Sequence, residues 1–233
     1  MVFGFLKCKD PPAPVFENLR EAFAPLSVLT TKGEPVKLGS AMAQDKPVLL
    51  WVMRRFSCPF CRGYAAQLRD NVQKKCEEKG VQMIGLGLEM AGLESFQEGK
   101  FWPGDLLVEN PDQEVHKLLN LKRASVLKMF DVGMLRKGAK LQKEYGGNAT
   151  EGDGFVLGGL FIMDKTGKCA FDYRQRNFKE DASIDEVSIG GREAVSRTRI
   201  GTDTHTPHLH LCLSSAHAPP DPPGAGKAVN RVC

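Results

Sequence analysis

The amino-acid sequence predicts an α/β fold, a β-sheet covered by helices, and three observations carry this prediction. The first is an apolar run of β-forming residues, Val48–Met53, which is typical of a buried strand. The second is a helical pattern that follows this run directly. The third is a pair of apolar segments, Gly159–Met163 and 169–173, on either side of a turn sequence at 164–167, which predicts a hairpin. Elements that alternate in this way form a layered α/β sandwich.

The helix after the central strand begins with the dithiol motif Cys58-Pro59-Phe60-Cys61. Pro59 suits the first helical position, which places Cys58 at or near the N-cap, and Gly80 suits the residue that ends the helix. One face of the helix is marked by residues at spacings of three and four: Cys61, Ala65, Leu68, Val72 and Cys76. A buried strand that ends at a dithiol on a helix N-terminus is the layout of thioredoxin-like redox sites.

The position of the dithiol predicts that Cys58 is a reactive thiolate. A helix N-terminus carries roughly half a positive charge, and three arginines add full charges close by in sequence: Arg54, Arg55 and Arg62. Positive charge favours thiolate over thiol, so cysteine pKa values in such sites fall to between roughly 3.5 and 7.5. Cys61 lies one turn further on and begins the buried face. We therefore expect Cys58 to attack, Cys61 to resolve, and the three arginines to stabilise the thiolate.

Two other interpretations of these cysteines are a structural zinc half-site and ordinary packing. Structural zinc needs about four ligands, usually from a second Cys-x-x-Cys or from a histidine pair at defined spacing. The remaining cysteines are isolated along the chain: Cys8, Cys76, Cys169, Cys212 and Cys233. The redox interpretation is therefore favoured, and neither a metal nor a bound cofactor is expected.

Other segments supply further elements of the same fold. Apolar segments at 26–30 and 36–38 flank a Lys-Gly-Glu turn and predict an N-terminal β-hairpin extension. Strands are also expected at 81–88 and 106–108, and helices at 16–23, 92–97, 111–119 and, with a mixed pattern, 122–145. The glycine-rich segment 146–154 fits neither a phosphate-binding loop nor a dinucleotide fingerprint, and it is interpreted as a flexible loop.

The pattern divides the chain into three parts. Residues 1–24 are expected to form an N-terminal arm, residues 25–187 a thioredoxin-like domain, and residues 188–233 a disordered low-complexity tail. The tail holds four of the five histidines and lacks apolar periodicity, so it cannot bury enough apolar surface to offset its ordering entropy. A transient metal site in the tail is the less favoured interpretation of four residues: His205, His208, His210 and Cys212.

Composition narrows the possible functions. With 233 residues, 42% of them hydrophobic, the chain is long enough to bury a sizeable core. A net charge of +4 without a basic run gives no support for nucleic-acid binding. No apolar segment approaches the roughly 18 residues that span a membrane, and no signal peptide is recognised. A reducing compartment, the cytoplasm, is therefore the expected location.

Two well-separated motifs carry a family resemblance. The first is Arg-Arg-Phe-Ser-Cys-Pro-Phe-Cys-Arg at 54–62, and the second is Gly-Asp-Gly-Phe-Val-Leu-Gly-Gly at 152–159. Together they resemble the peroxiredoxin-like 2 family, AhpC/TSA-type proteins that include prostamide/prostaglandin F synthases. The resemblance covers about residues 26–187 and implies a thioredoxin fold with Cys58 and Cys61 redox-active. It further implies small peroxide or endoperoxide substrates and electrons from thioredoxin or a similar reductant, hence indirectly from NADPH.

Two alternatives to peroxide reduction stay open. Cys-Pro-Phe-Cys is similar to the glutaredoxin motif Cys-Pro-Tyr-Cys, which implies a disulfide reductase, although no proline stands just before the hairpin strand, where glutaredoxins carry a cis-proline. The other alternative is a non-catalytic protein whose dithiol senses redox state. The chain also departs from true peroxiredoxins, which carry Pro-x-x-x-Thr/Ser-x-x-Cys and an arginine where this chain has Gly158. A final helix after Val187 is expected to be lost to the tail.

Overall fold

The fold was analysed in a computed structural model that describes residues 14–124, 132–148, 152–178 and 180–199. The strands are β1 (Ser27–Thr30), β2 (Pro35–Lys37), β3 (Val48–Met53), β4 (Gln82–Gly87), β5 (Asp105–Glu109), β6 (Gly159–Met163) and β7 (Cys169–Arg174). The helices are α1 (Leu19–Phe23), α2 (Leu38–Ala41), α3 (Pro59–Lys79), α4 (Leu93–Glu98), α5 (Glu114–Leu118), α6 (Val132–Tyr145) and α7 (Ile184–Arg199). The strands form a single sheet in the order β2-β1-β5-β4-β3-β6-β7.

The middle strand, β3, shows why its sequence is a continuous apolar run. It pairs in parallel with β4 and antiparallel with β6, and all six of its residues are buried. Alternate residues face the two sides of the sheet, Leu49, Trp51 and Met53 on one and Val48, Leu50 and Val52 on the other. A strand covered on both faces has no solvent side, so polar residues are missing from it. The predicted buried strand is confirmed.

Helices cover both faces of the sheet. On the first face, α3, α4 and α7 contribute Leu68, Phe96 and Val187 to the core. On the second face, α1, α2 and α5 contribute side chains such as Phe23 and Leu38. This arrangement confirms the predicted α/β sandwich of thioredoxin type.

The N-terminal hairpin is confirmed and is joined to the main sheet. β1 and β2 pair antiparallel, and β1 also pairs antiparallel with β5, with Leu29 opposite Val108. The hairpin therefore extends the sheet at one edge. Val28 points into the core and is fully buried, which ties the extension to the second face.

The dithiol helix has the predicted bounds. Cys58 is its N-cap, Pro59 its first residue and Gly80 the residue that ends it. Gly80 has a φ of 65°, in the left-handed region that glycine adopts at little cost, and its N–H donates to a carbonyl of the last helical turn. Local sequence signals were sufficient here because both ends are set by residues with restricted or unusual backbone preferences.

The start of the tail was predicted wrongly. A helix, α7, occupies Ile184–Arg199, so the helix expected to be lost after Val187 is present. It begins with a capping box, in which Ser183 Oγ accepts from the Glu186 N–H at 3.2 Å and the Glu186 carboxylate accepts from the Ser183 N–H at 3.1 Å. α7 needs few large apolar side chains to pack against the sheet, because its backbone lies close to the sheet. A Cβ on Gly190 would lie 2.8 Å from Phe171 Cβ.

Several other predictions fall partly or wholly on residues that the structure does not describe. Of the mixed helix predicted at 122–145, residues 132–145 are helical as α6, Arg123 forms an isolated bridge with Val156, and residues 125–131 lie outside the described residues. Residues 1–13, most of the predicted arm, lie outside the described residues, as do residues 200–233 with the four candidate metal ligands of the tail. No helix among the described residues is long and apolar enough to cross a membrane.

Ala194→Asp tests whether α7 belongs to the folded domain. Ala194 is fully buried, so this variant places an unpaired carboxylate against the sheet, and an uncompensated buried charge costs about 3–5 kcal/mol. We expect the free energy of unfolding, measured by urea denaturation, to fall by an amount in this range. The neighbouring exposed Arg192 provides the control: Arg192→Ala should stay within about 0.5 kcal/mol of the parent chain. Equal stability of the two variants would contradict the packing of α7.

Candidate active site

The dithiol lies at the carboxyl end of β3, where the chain turns into α3. Cys58 has an extended backbone (φ −71°, ψ 121°), and its carbonyl accepts the first helical hydrogen bond from the Arg62 N–H at 3.0 Å. Cys58 is only 3% exposed to solvent, and Cys61 is 5% exposed. The two thiols are free, and they sit at the positive end of a 21-residue helix.

The side chain of Arg54 binds the sulfur of Cys58. Its Nη2 lies 3.2 Å from Cys58 Sγ, and its guanidinium carbon lies 4.9 Å from the ring centre of Phe178 and 5.9 Å from that of Phe60. Aromatic faces attract the cation and exclude water from it. Arg54 is thereby held as a buried positive charge directly against the thiol.

The two cysteines have opposite pKa shifts. The pKa of Cys58 lies well below its usual range, first because the Cys61 thiol donates a hydrogen bond to it, and then because of the positive charges of Arg54 and Arg55; burial opposes this lowering. The pKa of Cys61 is raised, because its thiol proton is held by Cys58 and because burial disfavours a second thiolate. One thiolate and one thiol therefore share a proton between them, with Cys58 as the charged member.

The three predicted arginines have different contacts. Arg55 lies further from the sulfur, and its Nη1 donates to the Gly152 carbonyl at 3.1 Å. Arg62 donates from Nε to the Phe56 carbonyl at 2.9 Å and from Nη2 to Ser95 Oγ at 2.6 Å. We infer that Arg54 and Arg55 lower the pKa of Cys58, and that Arg62 mainly ties the loop before the dithiol to α4.

An acidic residue near the dithiol, Asp181, was missed by the sequence analysis. Its Oδ1 accepts from Gln175 Nε2 at 2.6 Å, and Oε1 of the same Gln175 side chain accepts from the Gly158 N–H at 2.7 Å. Burial raises the pKa of Asp181 to about 6, while the positive charge of Arg54 opposes the rise. The residue stands just before α7 in a stretch rich in acids, and no local pattern distinguishes it from the exposed Asp185.

Comparison with known proteins identifies the family of this chain. A family model described as AhpC/TSA antioxidant enzyme matches residues 67–177. The prostamide/prostaglandin F synthase of Salmo salar is 35% identical over 144 residues, which span 60% of this chain and 70% of that protein. The protein of the same name from Xenopus tropicalis is 31% identical over 140 residues, 58% of this chain and 68% of that protein. The chain belongs to the peroxiredoxin-like family of the prostamide/prostaglandin F synthases.

Solved structures support the fold of this peroxiredoxin-like chain. A peroxiredoxin-like protein from Aquifex aeolicus matches with a TM-score of 0.51 at 16% identity. The match covers 78% of this chain and 84% of that protein. Peroxiredoxin Q from Xanthomonas campestris also matches with a TM-score of 0.51, at 12% identity, and this match covers 78% of this chain and 99% of that protein. At such identities the likeness shows the thioredoxin-like fold. The family-model match begins inside α3, after both cysteines, so the assignment of the dithiol depends on the site geometry.

The glycine-rich segment of this peroxiredoxin-like chain packs against the dithiol loop. Gly147 has a φ of +87°, and a Cβ there would lie 2.3 Å from the Ser57 carbonyl oxygen. A Cβ on Gly154 would lie 2.8 Å from the guanidinium carbon of Arg55. At least two of these glycines are therefore required for close approach to the site. Residues 149–151, in the middle of the segment, lie outside the described residues.

The described residues contain no group of three or more side chains able to hold a metal ion. Of the remaining cysteines that the structure describes, Cys76 is buried on α3, and burial raises its pKa to about 11. Cys169 is half-buried at the start of β7. At Cys76 the effect of burial on the pKa outweighs that of the positive charges of Lys79 and Lys75.

Asp181→Asn tests the position of this half-buried acid through the pH dependence of stability. The pKa of Asp181 is raised from 3.8 to about 6, so between these values the folded state binds more protons than the unfolded state. The free energy of unfolding contributed by this group therefore falls as pH rises through that window. Asparagine does not titrate, so urea denaturation at a series of pH values should show a flatter profile between about pH 4 and 6. Asp185→Asn, on the exposed start of α7, should leave the profile unchanged; if both variants keep the parent profile, burial does not raise the pKa of Asp181.

Proposed function

We propose that this chain is a thiol-dependent oxidoreductase that reduces peroxide or endoperoxide substrates through Cys58 and Cys61. The observation that carries the proposal is the opposed protonation of the two cysteines: Arg54 and the Cys61 thiol both stabilise a Cys58 thiolate. A thiolate beside a protonated thiol has a nucleophile and a resolving group within one helical turn. Membership of a peroxiredoxin-like family gives the proposal its reaction class.

In the first step the Cys58 thiolate attacks one oxygen of the O–O bond. A hydroperoxide then gives an alcohol and Cys58 sulfenic acid, with the proton that the alkoxide needs taken from solvent. An endoperoxide instead opens to one alcohol and a sulfenate ester, in which the second oxygen stays bonded to the sulfur. Arg54 has buried N–H groups beside Cys58, so it can stabilise the negative charge that develops on the leaving oxygen.

In the second step Cys61 resolves the intermediate. Its sulfur attacks Cys58 and forms a disulfide, and its proton leaves with the displaced oxygen as water or as the second alcohol. Two cysteines three residues apart on a helix lie roughly 5 Å apart at their Cα atoms, which suits a disulfide. A dithiol of a thioredoxin-type reductant then reduces the disulfide by exchange, and NADPH supplies the electrons to that reductant. The cycle needs no group bound to this chain.

Access to the sulfur requires local opening. Cys58 is almost fully buried, and the ring of Phe60, inside the motif, covers this region by contact with α6, where Lys137 Nζ is 5.8 Å from the ring centre. Substrate and reductant both need to reach the sulfur, so displacement of this cover is part of the proposed cycle. Local opening is easiest in segments that bury little apolar surface. α6 is such a segment, since Met134 is its only buried residue.

A disulfide reductase of glutaredoxin type is the second candidate, favoured by the Cys-Pro-Phe-Cys motif at the N-terminus of α3. A single experiment separates the candidates: NADPH oxidation coupled through thioredoxin reductase and thioredoxin, with hydroperoxides, endoperoxides and small disulfides as substrates. We expect turnover with the first two classes and little with disulfides. Turnover with disulfides alone would favour the reductase, and no turnover with any class would favour a redox-responsive binding protein. Cys76→Ser, which changes a cysteine of α3 outside the motif, should retain full turnover.

A further inference from the structure

The outer face of α6 carries a pattern that the proposed chemistry does not use. The inner side of the helix is a narrow stripe at spacings of four, three and four: Met134, Gly138, Leu141 and Tyr145. Met134 packs with Leu157 and Phe178. The others approach the dithiol helix and its surroundings, since a Cβ on Gly138 would lie 3.2 Å from Phe60 and Leu141 packs against Gly63. These contacts fix which side of α6 faces solvent.

The solvent side of α6 combines apolar and basic residues. Val132 is 62% exposed and Leu135 is 59% exposed. Viewed along the helix axis, the position of Ala139 falls between those of Val132 and Leu135. Beside this apolar strip runs a row of exposed basic residues: Arg136, Lys140 and Lys143. At 100° per residue the strip and the row are neighbours, and both lie opposite the Met134 stripe. The acidic residue of the helix, Glu144, is exposed and lies at the edge of the basic row, about 40° from Lys140 around the helix axis.

We propose that the outer face of α6 docks on an anionic lipid bilayer. An exposed apolar strip flanked by basic residues is the pattern of helices that lie in the membrane interface, where the apolar side chains enter the headgroup boundary and the cations meet acidic lipid. The charge that complements this face is negative, because the row has three exposed cations and a single exposed acid, Glu144, at its edge. Docking is peripheral and does not depend on the proposed redox chemistry.

The same helix separates this face from the dithiol. Phe60, inside the Cys-x-x-Cys motif, contacts α6 on its inner side through Gly138 and Lys137. A helix with its side chains is roughly 10–12 Å across, so a docked bilayer lies about one helix diameter from the motif. The bilayer therefore faces the cover of the active site, and apolar molecules dissolved in it are presented at that cover.

Vesicle co-sedimentation of the full reduced chain tests the proposal. The probes are vesicles of phosphatidylcholine alone and vesicles of equal parts phosphatidylcholine and phosphatidylserine. We expect sedimentation with the mixed vesicles and not with the neutral ones. The triple variant Arg136→Glu, Lys140→Glu and Lys143→Glu should weaken binding by about ten-fold or more. The variant Val132→Ser with Leu135→Ser should also weaken it, because the apolar strip is lost while the charge is kept.

The control is a matched charge reversal on other exposed lysines. Lys32→Glu, Lys74→Glu and Lys165→Glu change the net charge equally but lie on the N-terminal hairpin, on α3 and in the β6–β7 turn. This variant should bind mixed vesicles within a few-fold of the parent chain, and all variants should unfold at similar urea concentrations, since every changed side chain is exposed. The proposal is overturned if the parent chain ignores mixed vesicles, if it binds an acidic polypeptide but no vesicle, or if the two charge-reversal variants lose binding equally.

Discussion

Replacing Cys58 by serine is expected to reduce peroxide turnover by roughly a thousand-fold or more, because it removes the thiolate nucleophile. The two other cysteines placed by the structure cannot substitute for it. Cys76 has a raised pKa and lies away from the arginines, and Cys169 lies on β7. The measurement is the NADPH-coupled rate with the best substrate of the panel at pH 7, with Cys76→Ser as the control that should keep full activity.

Cys61→Ser should have a different effect from Cys58→Ser. The first step remains possible, so after one equivalent of peroxide mass spectrometry should find Cys58 as sulfenic acid or as a mixed disulfide, and steady-state turnover should stop. In the parent chain the same treatment should link Cys58 to Cys61. Recovery of Cys58 as an unmodified thiol in the Cys61→Ser variant would contradict its assignment as the attacking residue.

Arg54→Leu is expected to have the second largest effect. The guanidinium is 3.2 Å from Cys58 Sγ and is buried, and a hydrogen bond to a charged group contributes about 1.5–3 kcal/mol. Its loss should therefore raise the pKa of Cys58 by about one to two units, since the stabilised form is the thiolate. The pH at which alkylation of Cys58 by iodoacetamide reaches half of its maximal rate should therefore rise by the same one to two units, and below that pH the rate should fall by about ten-fold or more.

Arg54→Lys is the matched variant for this experiment. It keeps the positive charge and loses the planar group that stacks between Phe60 and Phe178, so its effect on the pKa of Cys58 should be smaller than that of leucine. Arg62→Lys keeps charge at the position whose hydrogen bonds go to Phe56 and Ser95, and it should change the pKa less still. An unchanged ultraviolet titration of the Cys58 thiolate in Arg54→Leu would show that this arginine does not stabilise it.

The sequence by itself determined the elements that have local signals. β3 was evident because a strand covered on both faces reads as an unbroken apolar run. The bounds of α3 were evident because Pro59 and Gly80 restrict the backbone at its two ends. The β6–β7 hairpin followed from its turn residues, although β7 continues one residue further than predicted, to Arg174. The prediction that Cys58 and Cys61 form the reactive dithiol also came from the sequence alone, since the placement of a residue at a helix N-cap is a local property.

The tertiary structure decided what depends on distant parts of the chain. Three arginines near the dithiol in sequence are equivalent by charge, yet only the fold turns Arg54 onto the sulfur and Arg62 towards Ser95. Asp181 is 123 residues from Cys58 in sequence, and only the fold brings it close enough to interact with Arg54 and Cys58. That helix itself was mistaken for a tail, because its glycines and small residues are weak local signals for a helix. They become favourable only against the sheet, where they let the helix axis approach Phe171 closely.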